Sequence, residues 1–160
     1  MVQAVADALS ESFDWYAGTW QANASSYCAE IDALDARFRD VIANCVRREM
    51  IFADRFPFIY FAKEYGIDYV SAFASCSSES EPSAKTMMEL IDRVISDKVP
   101  VVYTIELSSQ KTAKTISAET GAKILTFHSI QNLTEADFSA GETYVTLMQR
   151  NLAALQEGLS

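Results

Sequence analysis

After Asn44 the chain alternates short β-rich runs with amphipathic stretches, and this alternation limits its fold more than any other feature. The runs at 49–53, 68–73, 100–106 and 123–127 are rich in β-branched and aromatic residues and are predicted strands. Between them, 58–65, 83–97 and 109–120 carry helical spacing, and a closing helix is predicted over 140–155. Gly66 and Gly121 stand just past two helix ends, where a left-handed residue ends a helix. Ser83, after Pro82, fits an N-cap. Strand–helix–strand repetition with short connections means parallel strands and right-handed crossovers. The predicted class is therefore α/β: a three-layer αβα arrangement around a four-stranded parallel sheet, preceded by a long helix.

That helix comes from the first third of the chain. Val2, Val5, Ala6 and Leu9 recur at helical spacing, and a polar break follows at Ser10-Glu11-Ser12. Asp14 is placed to cap a second helix whose apolar side runs through Tyr16, Trp20, Tyr27, Ile31, Leu34, Phe38, Val41, Ile42 and Cys45. From 14 to 45 it spans about 48 Å at about 1.5 Å per residue. A compact domain of this size is only about 40 Å across. The helix is therefore expected to overhang its own domain. Trp15, Tyr16 and Trp20 at its front end call for a partner, either another lobe or a second copy of the chain.

Composition narrows the function. The chain has 160 residues, enough to bury a core without a staple, and carries 13 basic against 22 acidic side chains for a net charge of −9. Such a surface repels a phosphate backbone and suits a cationic ligand, so no nucleic-acid partner is expected. No run of about 18 apolar residues is present to span a membrane. The N-terminal MVQAVADALSESF lacks a basic n-region and a small-residue cleavage site, and is not read as a signal peptide. It fits either a cytosolic protein or a start inside a longer chain. Cys28, Cys45 and Cys76 are odd in number and form no CxxC pair, which excludes a zinc knuckle and fixes no disulfide.

In an open parallel sheet, ligands bind beyond the carboxyl ends of the strands. Asp54-Arg55 follows the first predicted strand, and Cys76 through Glu81 follows the second. Glu106 ends the third, and His128, the only histidine, follows the fourth. Carboxylate plus imidazole suits zinc or manganese. The spacing is non-local, so the set is no metal motif by itself. A plain strand-end His128, an Asp54-Arg55 loop ion pair and a solvated acidic loop at Glu79 and Glu81 are the structural alternatives. A buried Glu106 needs a partner, for which Arg55 is a candidate. The five glycines form neither GxGxxG nor GxxxxGK[ST], and no GxSxG is present. Cys76 and His128 as nucleophile and base is a pairing that any α/β chain holding both would permit.

Asp54-Arg55-Phe56-Pro57-Phe58-Ile59-Tyr60-Phe61, followed by Tyr65-Gly66, resembles the start of the C-terminal lobe of zinc/manganese ABC-transporter solute-binding proteins. So do Glu81-Pro82-Ser83-Ala84, Glu106 at its strand end, Glu119-Thr120-Gly121-Ala122-Lys123, His128-Ser129, Gly141-Glu142-Thr143-Tyr144 and 148–155. The resemblance covers essentially the whole chain. It implies a binding protein, not an enzyme, that carries Zn²⁺, or Mn²⁺, to an ABC permease at the extracellular face or in the periplasm. It implies a remnant of a first lobe at 1–12, a spine helix at 13–46 and a C-terminal α/β lobe at 47–160. The amino-terminal lobe, with its histidine ligands, is then absent, and the spine end is expected to seal against a second copy. His128 and Asp54 are the implied metal ligands, with Glu106 and Glu81 orienting them from behind. Arg55 stands where the family places a ligand and cannot ligate a cation: either the loop shifts by one and Asp54 ligates with Arg55 behind it, or Arg55 pairs with an acidic neighbour and this lobe supplies fewer ligands. The rival readings are a small α/β enzyme using Asp54, Glu106 and His128 as acid–base groups, and a structural fragment that dimerises through the spine helix.

Overall fold

The structure, a computed structural model, describes residues 1–73 and 82–160. Packing divides the chain into two units, Met1–Arg37 and Phe38–Ser160. In the first unit, α1 (Val2–Ser12) is followed by a 3-10 turn over Asp14–Tyr16, and α2 (Ala17–Ala43) begins directly after it. Asp14 therefore opens the turn instead of capping the long helix. The turn closes through Tyr16 N–H donating to the Phe13 carbonyl at 3.1 Å. Phe13, Trp15, Tyr16 and Trp20 then form a chain of edge-on and tilted rings with successive centroids 5.8, 6.3 and 6.1 Å apart. Asp7 accepts hydrogen bonds from Gln3 and Gln21, which hold its carboxyl below the ordinary aspartate value.

The second unit holds the end of α2 and then β1 (Glu49–Phe52), α3 (Ile59–Tyr65), β2 (Asp68–Ser71), α4 (Ala84–Ser96), β3 (Val101–Thr104), α5 (Lys111–Thr120), β4 (Lys123–Thr126), α6 (Glu135–Ser139) and α7 (Tyr144–Leu159). All four expected strands form one sheet in the order β2-β1-β3-β4, with every pairing parallel. Gly66 and Gly121 take the left-handed caps, at φ 65° and 76°, and the Ser83 hydroxyl accepts from Thr86 N–H at 3.1 Å. The expected closing helix starts later, at Tyr144, because Thr143 forms a capping box with Thr146. The short α6 before it had no apolar period to announce it; Thr134 caps it.

Alternation along the strands sends side chains to two faces. On one face Ile51, Ala53 and Val102 pack with Leu90 and Val94 of α4 and Ala113 and Ile116 of α5. On the other, Phe52, Tyr103 and Phe127 form an aromatic layer, and the Tyr103 hydroxyl reaches α7 to donate to the Ala154 carbonyl at 3.1 Å. Phe38 of α2 meets Phe61 and Tyr65 of α3 in the same unit. Helices thus cover both faces of a buried parallel sheet, as such sheets require. Among the described residues no helix is long and apolar enough to cross a membrane.

Candidate functional site

The chain leaves β1 in one direction to form β2 and then crosses back to β3 on its other side. The carboxyl ends of β1 and β3 therefore flank the switch point, where an open α/β sheet leaves a crevice. Asp54, Glu106 and His128 each stand two residues beyond the last residue of β1, β3 and β4. The ladder delivers them: Ala53 N–H donates to the Tyr103 carbonyl and Phe127 N–H to the Thr104 carbonyl, both at 2.8 Å. The three residues thus share one sheet edge, with Glu106 between the other two in strand order.

Their environments differ. Asp54 is only 9% exposed, and its Oδ1 accepts from the Arg55 N–H at 2.8 Å. Arg55 is exposed, its guanidinium carbon 5.7 Å from the centre of the Phe73 ring. Glu106 is 6% exposed. Its carboxylate accepts from Ser129 N–H at 2.7 Å, from the Ser129 hydroxyl, and from Asn132 N–H at 3.4 Å. Burial pushes its pKa up, but the Ser129 hydroxyl and N–H, its own N–H and the Asn132 N–H together outweigh burial and hold it below the ordinary glutamate value. Glu106 therefore stays ionised and ties the loop after β4 to the end of β3. Leu107, Gln110 and Ile130, all with φ between 57° and 61°, lie in the two loops this carboxylate joins. Ile130 is β-branched and strained at that φ, so the surrounding hydrogen bonds must hold it.

Glu106→Gln is expected to cost about 2 kcal/mol, the scale of hydrogen bonds to a buried charge. It should also flatten the acid limb of stability. Because the folded pKa lies below the unfolded value, the contribution is complete above the ordinary value of 4.5 and is lost as pH falls through the lowered folded value. Urea midpoints followed across that range check this. Parallel curves for parent and variant would show that the carboxylate is not the source.

His128 is half-buried. Its N–H donates to Asn151 Oδ1 at 2.6 Å, and its carbonyl accepts from Asn151 Nδ2 at 2.8 Å. It lines a cavity of about 190 Å³ with Phe58, Tyr60, Phe127, Tyr144 and Met148. Asp137 is its acidic neighbour. The Thr134 hydroxyl and the Arg150 guanidinium, with a smaller part from His128, hold the Asp137 carboxyl below the ordinary aspartate value. Glu81, with Cys76 and Glu79, lies outside the described residues. Cys28 and Cys45 are free thiols.

Among the described residues, no three His, Cys, Asp or Glu side chains come close enough to share a metal ion. Asp54 and His128 stand as separate donors on one edge, and Glu106 spends its oxygens on the loop. A general acid would need a carboxyl pKa raised toward neutrality, and that of Glu106 moves the other way. The residue missed in the sequence is Asn151. Its signal was an asparagine at four-residue spacing between Leu147 and Leu155 on the buried face of α7.

The family model for the periplasmic zinc-uptake complex component A, ZnuA, matches residues 1–158. The chain is 32% identical over 157 residues to the zinc-binding lipoprotein AdcA of Streptococcus pneumoniae, covering 98% of this chain and 31% of that protein. It is 31% identical over 140 residues to the high-affinity zinc uptake system protein ZnuA of Bacillus subtilis, covering 88% of this chain and 43% of that protein. Among solved structures, the Zn(II)-bound ZnuA-like domain of the pneumococcal AdcA superposes with a TM-score of 0.78 at 30% identity, over 97% of this chain and 57% of that one. The metal-dependent lipoprotein YcdH of Bacillus subtilis gives 0.83 at 28% identity, over 98% and 58%. The chain thus spans less than half the length of these curated relatives.

Proposed function

Because the chain belongs to the family of the zinc-uptake complex component A, we propose that it forms the C-terminal lobe of a solute-binding protein that captures a divalent transition metal for an ABC importer. The observation that carries this reading is the placement of Asp54 and His128 at the carboxyl edge of a parallel sheet, beside its switch point. Zinc is favoured over manganese, because an imidazole nitrogen suits zinc better than an oxygen-preferring ion. Relatives described as zinc-binding support the same choice.

In this reading residues 13–46 are the spine between two lobes and 47–160 the lobe that closes on the metal from one side. The work is binding and release outside the cytoplasmic membrane, with a permease as the receiving partner. Asp54 offers a carboxylate oxygen and His128 a ring nitrogen, while water and a facing lobe complete the coordination. Arg55 cannot be a ligand, because a guanidinium has donors and no lone pair to give a cation. The surplus of acidic side chains raises the local cation concentration.

Calorimetric titration of Zn²⁺ into the chelator-treated chain is expected to show saturable binding near one ion per chain. His128→Ala should abolish the saturable phase. Equal isotherms for parent and variant would remove His128 from the site and with it the proposed metal edge.

A further inference from the structure

Asn151 is fully buried on the apolar face of α7, between Leu147 and Leu155. A carboxamide there is costly unless every polar atom is used. Both ends of this one are used, and on a single residue: Oδ1 takes the His128 N–H at 2.6 Å and Nδ2 gives to the His128 carbonyl at 2.8 Å. The β4 ladder has already ended one residue earlier, where Phe127 N–H meets the Thr104 carbonyl. Asn151 therefore supplies to His128 the donor and acceptor that a neighbouring strand would have supplied. Nδ2 also lies 3.4 Å from the Met148 sulfur, one turn earlier on α7, and Met148 and His128 line the same cavity.

We infer that Asn151 is a positioning residue for metal capture: it locks the backbone of the only histidine, and so holds His128 in place at the carboxyl end of β4. The inference rests on the reading of that edge as a metal site. The mechanism is indirect. Two opposed hydrogen bonds fix the direction of the His128 Cα–Cβ bond, so the ring meets a cation without first losing backbone freedom. Partners that orient metal ligands are worth about 10–100-fold in affinity.

The single histidine makes the test direct, because its imidazole signals in a proton–carbon NMR spectrum need no separation from others. Zn²⁺ is titrated into the parent chain, Asn151→Ala and Asn151→Asp, following those signals, with thermal midpoints measured alongside. The parent imidazole is expected to shift and saturate. Asn151→Ala should require about 10–100-fold more Zn²⁺ for the same shift. Asn151→Asp serves even if the alanine variant does not fold. At a pH where it is ionised, its carboxylate still accepts from His128 N–H but cannot donate to the carbonyl, and its negative charge would tighten cation binding. Weaker binding in an Asn151→Asp variant whose thermal midpoint shows it folded is therefore the mark of lost positioning. Parent-like affinity in a folded Asn151 variant, with the imidazole still shifting, overturns the inference and leaves the metal reading standing. A parent imidazole that Zn²⁺ does not move overturns the metal reading itself.

Discussion

Phe127→Ala is expected to destabilise the chain by about 3–5 kcal/mol, the range for removing a buried aromatic side chain. Phe127 is 0% exposed and sits where the aromatic layer meets the sheet edge. Its ring centre lies 4.9 Å from that of Phe58, 5.5 Å from Phe61, 5.9 Å from Tyr103 and 6.2 Å from Phe52, and the mutual angles are steep enough for edge-to-face contact. These partners belong to β1, β3, α3 and the turn before α3, so the cavity left by truncation has rigid walls and cannot collapse cheaply. Urea unfolding at neutral pH measures the loss. Phe127→Leu should recover more than half of it by refilling the volume. A cost under about 1 kcal/mol for the alanine variant would mean that the layer relaxes and does not hold the strand end that precedes His128.

Gly158→Ala is the second large effect, about 3 kcal/mol at the upper end of overpacking costs. A Cβ at Gly158 would collide with the Tyr103 hydroxyl oxygen, and would lie 2.8 Å from the ring carbon that bears it and 3.3 Å from Val101 Cβ. The hydroxyl cannot swing aside, because the ring is 1% exposed and stacked against Phe52 with centroids 5.4 Å apart. The gain of about 1 kcal/mol in helix propensity from glycine to alanine offsets only part of the clash. Tyr103→Phe alone removes the hydrogen bond to the Ala154 carbonyl and should cost about 1 kcal/mol. Combined with Gly158→Ala it should cost less than the sum, because the atom nearest the new methyl is gone. Additive costs in that cycle would show that α7 moves away from the sheet to admit the methyl.

The four strands were legible because a parallel sheet buried on both faces writes near-continuous apolar runs into the chain, as at Met50-Ile51-Phe52-Ala53 and Val101-Val102-Tyr103. Helix ends were legible where one residue type is required, as at Gly66, Gly121 and Ser83. The start of α2 was not. Asp14 fits a cap by type, yet the aromatic cluster around it takes up a 3-10 turn. Nor was α6 legible, being one capped turn with no buried residue. At the site, Asp54, Glu106 and His128 were found as strand-end residues. The partner offered for Glu106 was Arg55, the nearest cation by type, whereas the structure gives that carboxylate Ser129 and Asn132.

By itself the sequence determined the class of fold and which chemistry reaches the carboxyl edge of the sheet, because both follow from local periodicity and from the residue that comes after each strand. Only the tertiary structure decided what each of those residues is doing. Glu106 is bound by Ser129, and His128 by Asn151, in each case 23 positions along the chain. A hydrogen bond of 2.6 or 2.7 Å between such residues depends on how a strand, a loop and a helix pack, which no local pattern encodes.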